Sequence, residues 1–141
     1  MNPRIWLLVA LAALTVLLVG CGETQAESAE EPAKVSPIQG SSVSQVVLTA
    51  NAAERIGLKT APVQASAPGS TVPLAAVVYD RDGSTWVYTV AAPLTYVRQR
   101  VSVARVAGDV AILQAGPAVG TDVVTVGAAE LLGSEYGVEG E

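Results

Sequence analysis

Residues Val72 to Val90 read VPLAAVVYDRDGSTWVYTV. Two runs rich in Val and Tyr, Leu74–Tyr79 and Thr85–Val90, flank Asp80-Arg81-Asp82-Gly83. A turn ending in Asp-Gly between two such runs is a strong β-hairpin signal, because Gly enters the positive-φ region without a Cβ clash. The spacing therefore predicts a hairpin with Gly83 in a type I′ turn or a related turn with a bulge.

The same grammar continues on both sides. Downstream, Ala91-Ala92-Pro93 breaks the second run and a longer strand follows. In it Val97, Val101 and Val103 share one face while Arg98, Arg100 and Ser102 share the other, since side chains alternate with period two. Gly108-Asp109 turns the chain into Val110–Leu113, and Gly116-Pro117 to Gly120-Thr121 leads to Val123–Val126. Ala128–Leu132 has the composition of a closing helical turn. Upstream, Val46-Val47-Leu48 reads as a strand. Thr49 is placed to cap a short helix over Ala50–Ile56 that Gly57 stops, and Leu58–Val63 returns to β character. Gln64–Thr71, with Pro68-Gly69, reads as a loop. The fold class that follows is all-β, a small barrel or sandwich of about six strands with one short helix. With no Phe in the chain, its core is expected to consist of Val, Leu, Ile and Ala with Trp86 and a few Tyr.

Composition narrows the chemistry. The 141 residues carry eight basic and thirteen acidic side chains, a net charge of −5, no His and one Cys. Without His there is no Ser-His or Cys-His couple and no His-bearing metal site, and a disulfide within the chain lacks its second Cys. Asp80 and Asp82 lie on one predicted turn, which is turn chemistry rather than an acid and a base facing each other across a substrate. Asp80-Arg81-Asp82-Gly83 shares two acids and a Gly with calcium loops but lacks their length and their later Glu. No enzyme, cofactor or metal site is expected. Six aromatic residues and eight dispersed basic ones give neither a stacking platform nor a phosphate-neutralising stripe, so no nucleic-acid partner is expected.

The amino end reads as an address. Arg4 precedes the fifteen-residue apolar run Ile5–Val19, which suits a signal h-region and falls short of the roughly 20 residues of a spanning helix. The run ends in Leu18-Val19-Gly20-Cys21, which resembles the lipobox of bacterial lipoproteins. That resemblance implies cleavage before Cys21 and a lipid linked to its thiol. The competing reading is an uncleaved anchor helix with an incidental Cys. Both put the domain outside the cytoplasm, held to the lipid bilayer. Gly22–Ser44 is rich in Glu, Ser, Gly and Pro and reads as a flexible linker. As a flexible coil it would span about 25–30 Å. The expected organisation is a signal peptide over 1–20, the lipidated Cys21 and a disordered linker over 21–44, a β domain over 45–133, and a flexible tail over 134–141.

VPLAAVVYDRDGSTWVYTV (Val72–Val90) followed by YVRQRVSVARVAGDVAILQAGPAVGTDVVTVGAAELL (Tyr96–Leu132) resembles the carboxy-terminal, membrane-proximal β domain of periplasmic adaptor proteins, or membrane fusion proteins, of efflux pumps. The marks are a Val-Pro start, the Trp-Val-Tyr strand, an Arg-x-x-Val strand, a Gly-x-x-x-Gly turn before Asp-Val-Val, and a Gly-Ala-x-x-Leu ending. VVLTANAAERIGLKTAPV (Val46–Val63) resembles the segment of the same proteins that precedes their long insert. A full adaptor carries a barrel, a lipoyl-like domain and an α-helical hairpin between these segments, whereas Gln64–Thr71 alone joins them here. The resemblance implies a membrane-proximal module without tunnel or duct-docking parts.

The resulting expectation is a lipid-anchored, non-catalytic accessory to a membrane transporter permease, on the extracytoplasmic face of the cell membrane. Arg98, Arg100, Arg105, Tyr96 and Trp86 are the candidate contact residues, with the hairpin tip at Asp80–Asp82, because Arg, Tyr and Trp dominate binding hot spots. Against this, Trp86 and Tyr88 are expected in the core if they simply pack, with the arginines in water. The alternative function is a free-standing extracytoplasmic lipoprotein that binds a small ligand or a cell-wall polymer.

Overall fold

The computed structural model describes residues 31–137. In chain order the elements are β1 (Ala33–Pro37), β2 (Ser44–Leu48), α1 (Ala50–Arg55), β3 (Lys59–Pro62), β4 (Gln64–Ala65), β5 (Ser70–Pro73), a 3-10 turn (Leu74–Ala76), β6 (Val78–Tyr79), β7 (Thr85–Ala92), β8 (Thr95–Ala107), β9 (Val110–Ala115), β10 (Asp122–Val126) and α2 (Ala128–Glu135). The signal segment, Cys21 and the first part of the expected linker lie outside the described residues.

The strands form a nearly closed, barrel-like sheet in the order β3-β10-β7-β8-β9-β5-β4. Its two ends are consecutive in sequence. Only Val63 separates β3 from β4, and it bridges to the loop before β10 by donating its N–H to the Thr121 carbonyl (2.9 Å) and accepting from the Gly120 N–H (2.8 Å). All pairings are antiparallel, and β7 and β8 run from Thr85↔Val101 to Val90↔Tyr96. β8 is long because it serves two layers: Thr95–Val97 pairs with β2, and Ser102–Ala107 pairs with β9.

Two cores lie on opposite faces of this sheet. Inside the barrel are Val63, Val72, Ala76, Val77, Val87, Val101, Ala111, Leu113 and Val123. Outside it, under the β1–β2 hairpin and the two helices, are Val46, Leu48, Ala52, Val78, Tyr88, Tyr96, Val124, Ala128 and Leu131. Chain neighbours therefore serve different cores: Val77 and Val78, Val87 and Tyr88, and Val123 and Val124 each split between them, as period two requires when both faces are buried. Each fully buried Val contributes about 1.5–3 kcal/mol.

Local signals explain most boundaries. Thr49 Oγ1 accepts from the Ala52 N–H at 3.1 Å and starts α1, and Gly57 at φ +62° ends it. Asp80–Ser84 is a turn with a bulge: the Asp80 carbonyl accepts from the Gly83 N–H (2.9 Å), the Asp80 N–H donates to the Ser84 carbonyl (2.8 Å), and Gly83 sits at φ +80°.

Four expectations need correction. The linker does not extend to Ser44, because Ala33–Pro37 forms β1 and pairs with β2 from Ala33↔Leu48 to Pro37↔Ser44; backbone pairing with a buried strand orders a segment whose composition is that of a coil. Leu74–Tyr79 is not one strand. A 3-10 turn after Pro73, closed by the Val77 N–H on the Leu74 carbonyl, moves the chain from the β5 edge to β6. The loop Gln64–Thr71 is itself a hairpin, with Gln64↔Thr71 and Ala65↔Ser70 paired. Finally, the tail does not begin at Ser134, since α2 continues to Glu135 and Tyr136 caps it. The all-β, barrel-like expectation holds; among the described residues there are ten strands where about six were expected, and the closing helical turn expected at Ala128–Leu132 is the start of α2.

Candidate functional site

The polar chemistry of the domain collects where β8, the Asp80–Ser84 turn and the end of α2 meet. Arg98 is at its centre. Period two puts it on the outer face of β8 beside Tyr88 of β7, which would be a solvent position in a one-cored sheet. Here α2 lies over that face, and the Arg98 side chain is only 8% exposed. Its Nε donates to Glu135 Oε1 at 3.0 Å, and its Nη1 donates to Asp80 Oδ2 at 2.7 Å and to the Tyr136 hydroxyl at 3.2 Å. Tyr136 in turn donates to Asp80 Oδ1, and Tyr88 donates to Glu135 Oε2 at 2.6 Å. The backbone N–H of Ser44 completes the Glu135 shell at 3.0 Å, tying β2 to α2. Among the described residues no buried side-chain polar atom lacks a partner.

The electrostatics follow from these partners. The Tyr136 hydroxyl first, then the Arg98 guanidinium and the Arg81 amide, hold the Asp80 carboxyl down at about 2. Burial, then the hydrogen bond to Glu135, pushes the Tyr88 hydroxyl far above its ordinary value. For Arg98, burial opposes the charge, but Asp80, Glu135 and Tyr136 outweigh it and keep the guanidinium protonated. The Asp80 hydrogen bond, then burial, raises Tyr136. Such a network, with every ion matched, fixes geometry. What it does chemically is fasten α2 and the turn to the sheet.

Around this node the cations stack on aromatic rings. The Arg98 guanidinium lies 4.6 Å from the Trp86 ring centre and 5.4 Å from that of Tyr136. Arg81 lies 4.4 Å from the Tyr136 ring, and Arg100 lies 5.7 Å from the Trp86 ring. Trp86 Nε1–H donates to Ser84 Oγ at 2.8 Å, so the indole is anchored at its edge while both arginines use its π system.

The expected contact residues thus divide. Arg98 and Tyr96 are buried, Tyr96 in the outer core at 4% exposure, and neither presents itself to a partner. Trp86 is half-buried beside that core. Arg100 is exposed next to Trp86. Arg105 is exposed elsewhere, lining an open groove with Pro68, Ile112 and Gln114, so it does not join the others. Glu135, Tyr136 and Tyr88 were not foreseen as members. The signal for the first two was the helical spacing that carries Leu131 to Glu135 and Leu132 to Tyr136, four residues apart on one face.

Among the described residues no three His, Cys, Asp or Glu side chains are grouped to hold a metal ion, and no helix is long and apolar enough to cross a membrane. No family model, curated protein or solved structure matches the chain.

Proposed function

We propose that the protein is a membrane-tethered accessory module that binds the extracytoplasmic face of a transporter permease, anchored through Cys21 and working by surface contact rather than catalysis. One observation carries the reading. The two segments that resemble membrane-proximal parts of periplasmic adaptors, Val46–Val63 and Val72–Leu132, interleave in a single sheet: β2 pairs with β8 at Val46↔Tyr96, and β3 pairs with β10 at Val123↔Ala61. At the point where the adaptors carry their long insert, this chain has the short β4–β5 hairpin, with Ser66 N–H closing on the Gly69 carbonyl at 3.1 Å. On this reading the chain corresponds to an adaptor base in which the short β4–β5 hairpin stands in place of the distal modules.

Crosslinking in intact cells tests this. A photo-crosslinker at the exposed Tyr79 should trap a polytopic permease, and Cys21→Ala should abolish both membrane retention and that product. Recovery of cell-wall polymer alone, with no permease above background, would replace this reading by a free-standing binding lipoprotein. A Cys21→Ala protein that is processed and sediments with membranes as the parent does would remove the lipid anchor.

A further inference from the structure

We infer that Arg81 and Arg100, the outer members of the stack Arg81–Tyr136–Arg98–Trp86–Arg100, form a docking surface for an extended peptide bearing carboxylates. The inference stands on the geometry of the stack and does not need the permease reading.

Among the described residues the two outer arginines lack ion-pair partners. The carboxylates nearest the stack are already hydrogen-bonded: Asp80 to Arg98, Tyr136 and the Arg81 N–H, Glu135 to Arg98, Tyr88 and the Ser44 N–H, and Asp82 to the Ser84 N–H, with the Arg100 charge acting on Asp82 only through space. The ion pairs among the described residues both belong to Arg98. Arg81 and Arg100 are exposed, and among the described residues neither guanidinium donates a hydrogen bond. Each keeps its full set of five N–H donors in a planar fork that fits a carboxylate bidentately.

Both outer arginines are also held in place. Each lies against an aromatic ring that is itself fixed, Tyr136 through Asp80 and Trp86 through Ser84. A guanidinium held on a ring loses less freedom on binding than one waving in solvent, so part of the ordering cost is met before a ligand arrives.

Through its ring, each outer arginine lies no more than about 10 Å from Arg98, so both cations fall on one strip at most about 20 Å long, within the span of a six-residue extended peptide. An extended peptide repeats its side chains on one side about every 7 Å and can set carboxylates at both cations. An anionic bilayer is the poorer match. The chain carries −5 overall, and a continuous negative surface would repel the acidic groups around the strip, whereas a peptide brings its carboxylates only where the arginines stand.

The test uses the full chain in detergent micelles and a fluorescein-labelled Gly-Glu-Ala-Glu-Gly-Glu peptide, with the Gln-substituted peptide as its partner probe, read by anisotropy. The Glu peptide should bind, the Gln peptide should not, and binding should weaken as salt rises. Arg81→Gln and Arg100→Gln should each weaken binding about fivefold, and Arg100→Lys less, while the melting temperature stays near that of the parent. Equal binding of the Glu and Gln peptides, or unchanged affinity in the double Arg81→Gln, Arg100→Gln variant, would overturn the inference. So would a double variant that loses partition into phosphatidylglycerol vesicles relative to phosphatidylcholine ones while keeping peptide affinity, which would assign the surface to a membrane.

Discussion

Inside the barrel Val63, Val72, Val87, Leu113 and Val123 pack in a core of aliphatic side chains, whereas across the same sheet Tyr88 and Tyr96 share their layer with Arg98, Asp80 and Glu135. The difference follows from closure. A barrel wall encloses its own interior, and aliphatic volume filling is sufficient there because the strands already fix each other's position. The outer layer includes two pieces that strand pairing does not position, the short helices α1 and α2. Apolar packing alone permits such pieces to slide, and hydrogen bonds from one guanidinium to α2 and to the turn do not. We regard the Arg98 node as the device that gives α2 a single seat.

The comparison breaks most sharply at Arg98. Arg98→Ala leaves Glu135, with a side chain 4% exposed, without its cation, and should cost about 3–5 kcal/mol in urea unfolding. Replacing Arg98 and Glu135 together should cost less than the separate losses added, because the second change removes the stranded charge. A loss near 1 kcal/mol for Arg98→Ala would mean that the apolar contacts of Leu131 and Ala128 seat the helix unaided.

Two glycines at positive φ compare the barrel wall with the outer turn. A Cβ on Gly69, at φ +93°, would fall 2.2 Å from the Leu113 carbonyl oxygen, which is backbone of β9 and cannot step aside. A Cβ on Gly83, at φ +80°, meets nothing within 4 Å. Gly69→Ala should therefore cost about 2–4 kcal/mol, and Gly83→Ala about 1 kcal/mol from backbone strain alone. Equal melting temperatures for the two variants would show that the β4–β5 hairpin yields and is not part of the closed wall.

How much of this was legible depends on whether the signal was local. The Asp-Gly turn, the Thr49 cap, Gly57 and the parity of Val97, Val101 and Val103 against Arg98 and Arg100 are written within a few residues, and the structure has each of them. Parity, however, says that Arg98 and Arg100 share a face and not what covers it. Covering comes from α2, 30 to 37 residues later, while β1, whose Lys34, Ser36 and Pro37 belong compositionally to a coil, joins the outer layer through β2. Pairing with β2 overrides that composition, as tertiary context does for weak strand propensity. The Arg98 site was for that reason visible as a residue and invisible as a node: Glu135 stands 37 residues away and nothing near Arg98 announces it.

The two layers should also differ in their response to pH. The interior core contains no titratable side chain, so it contributes no slope. In the outer layer Asp80 has its folded pKa depressed from 3.8 to about 2, so its contribution is complete above the unfolded value and is lost as pH falls through about 2. Tyr88 has its folded pKa raised from 10.0, chiefly by burial and then by Glu135; its contribution is complete below that unfolded value and is lost as pH climbs above it. Melting temperature should thus be level in between and fall on both sides. Asp80→Asn should flatten the acid limb, and Tyr88→Phe the alkaline one. An acid limb unchanged by Asp80→Asn would place the titrating group elsewhere.

The smallest effect is the most discriminating, because it concerns two arginines on one strand face, two residues apart. Arg100 shares its parity and its aromatic neighbour Trp86 with Arg98, but it is exposed and has no carboxylate within ion-pair distance among the described residues. An exposed cation over a ring contributes about 0.5–1 kcal/mol at most. Arg100→Ala should therefore move urea stability by no more than about that amount, several-fold less than Arg98→Ala. The Trp86 emission spectrum should shift nonetheless, since a charge near its ring is gone. A stability loss at Arg100 equal to that at Arg98 would mean that the stack as a whole, rather than the Asp80–Arg98–Glu135 node within it, holds the outer layer together. The outer arginines would then be structural and not free to receive a ligand.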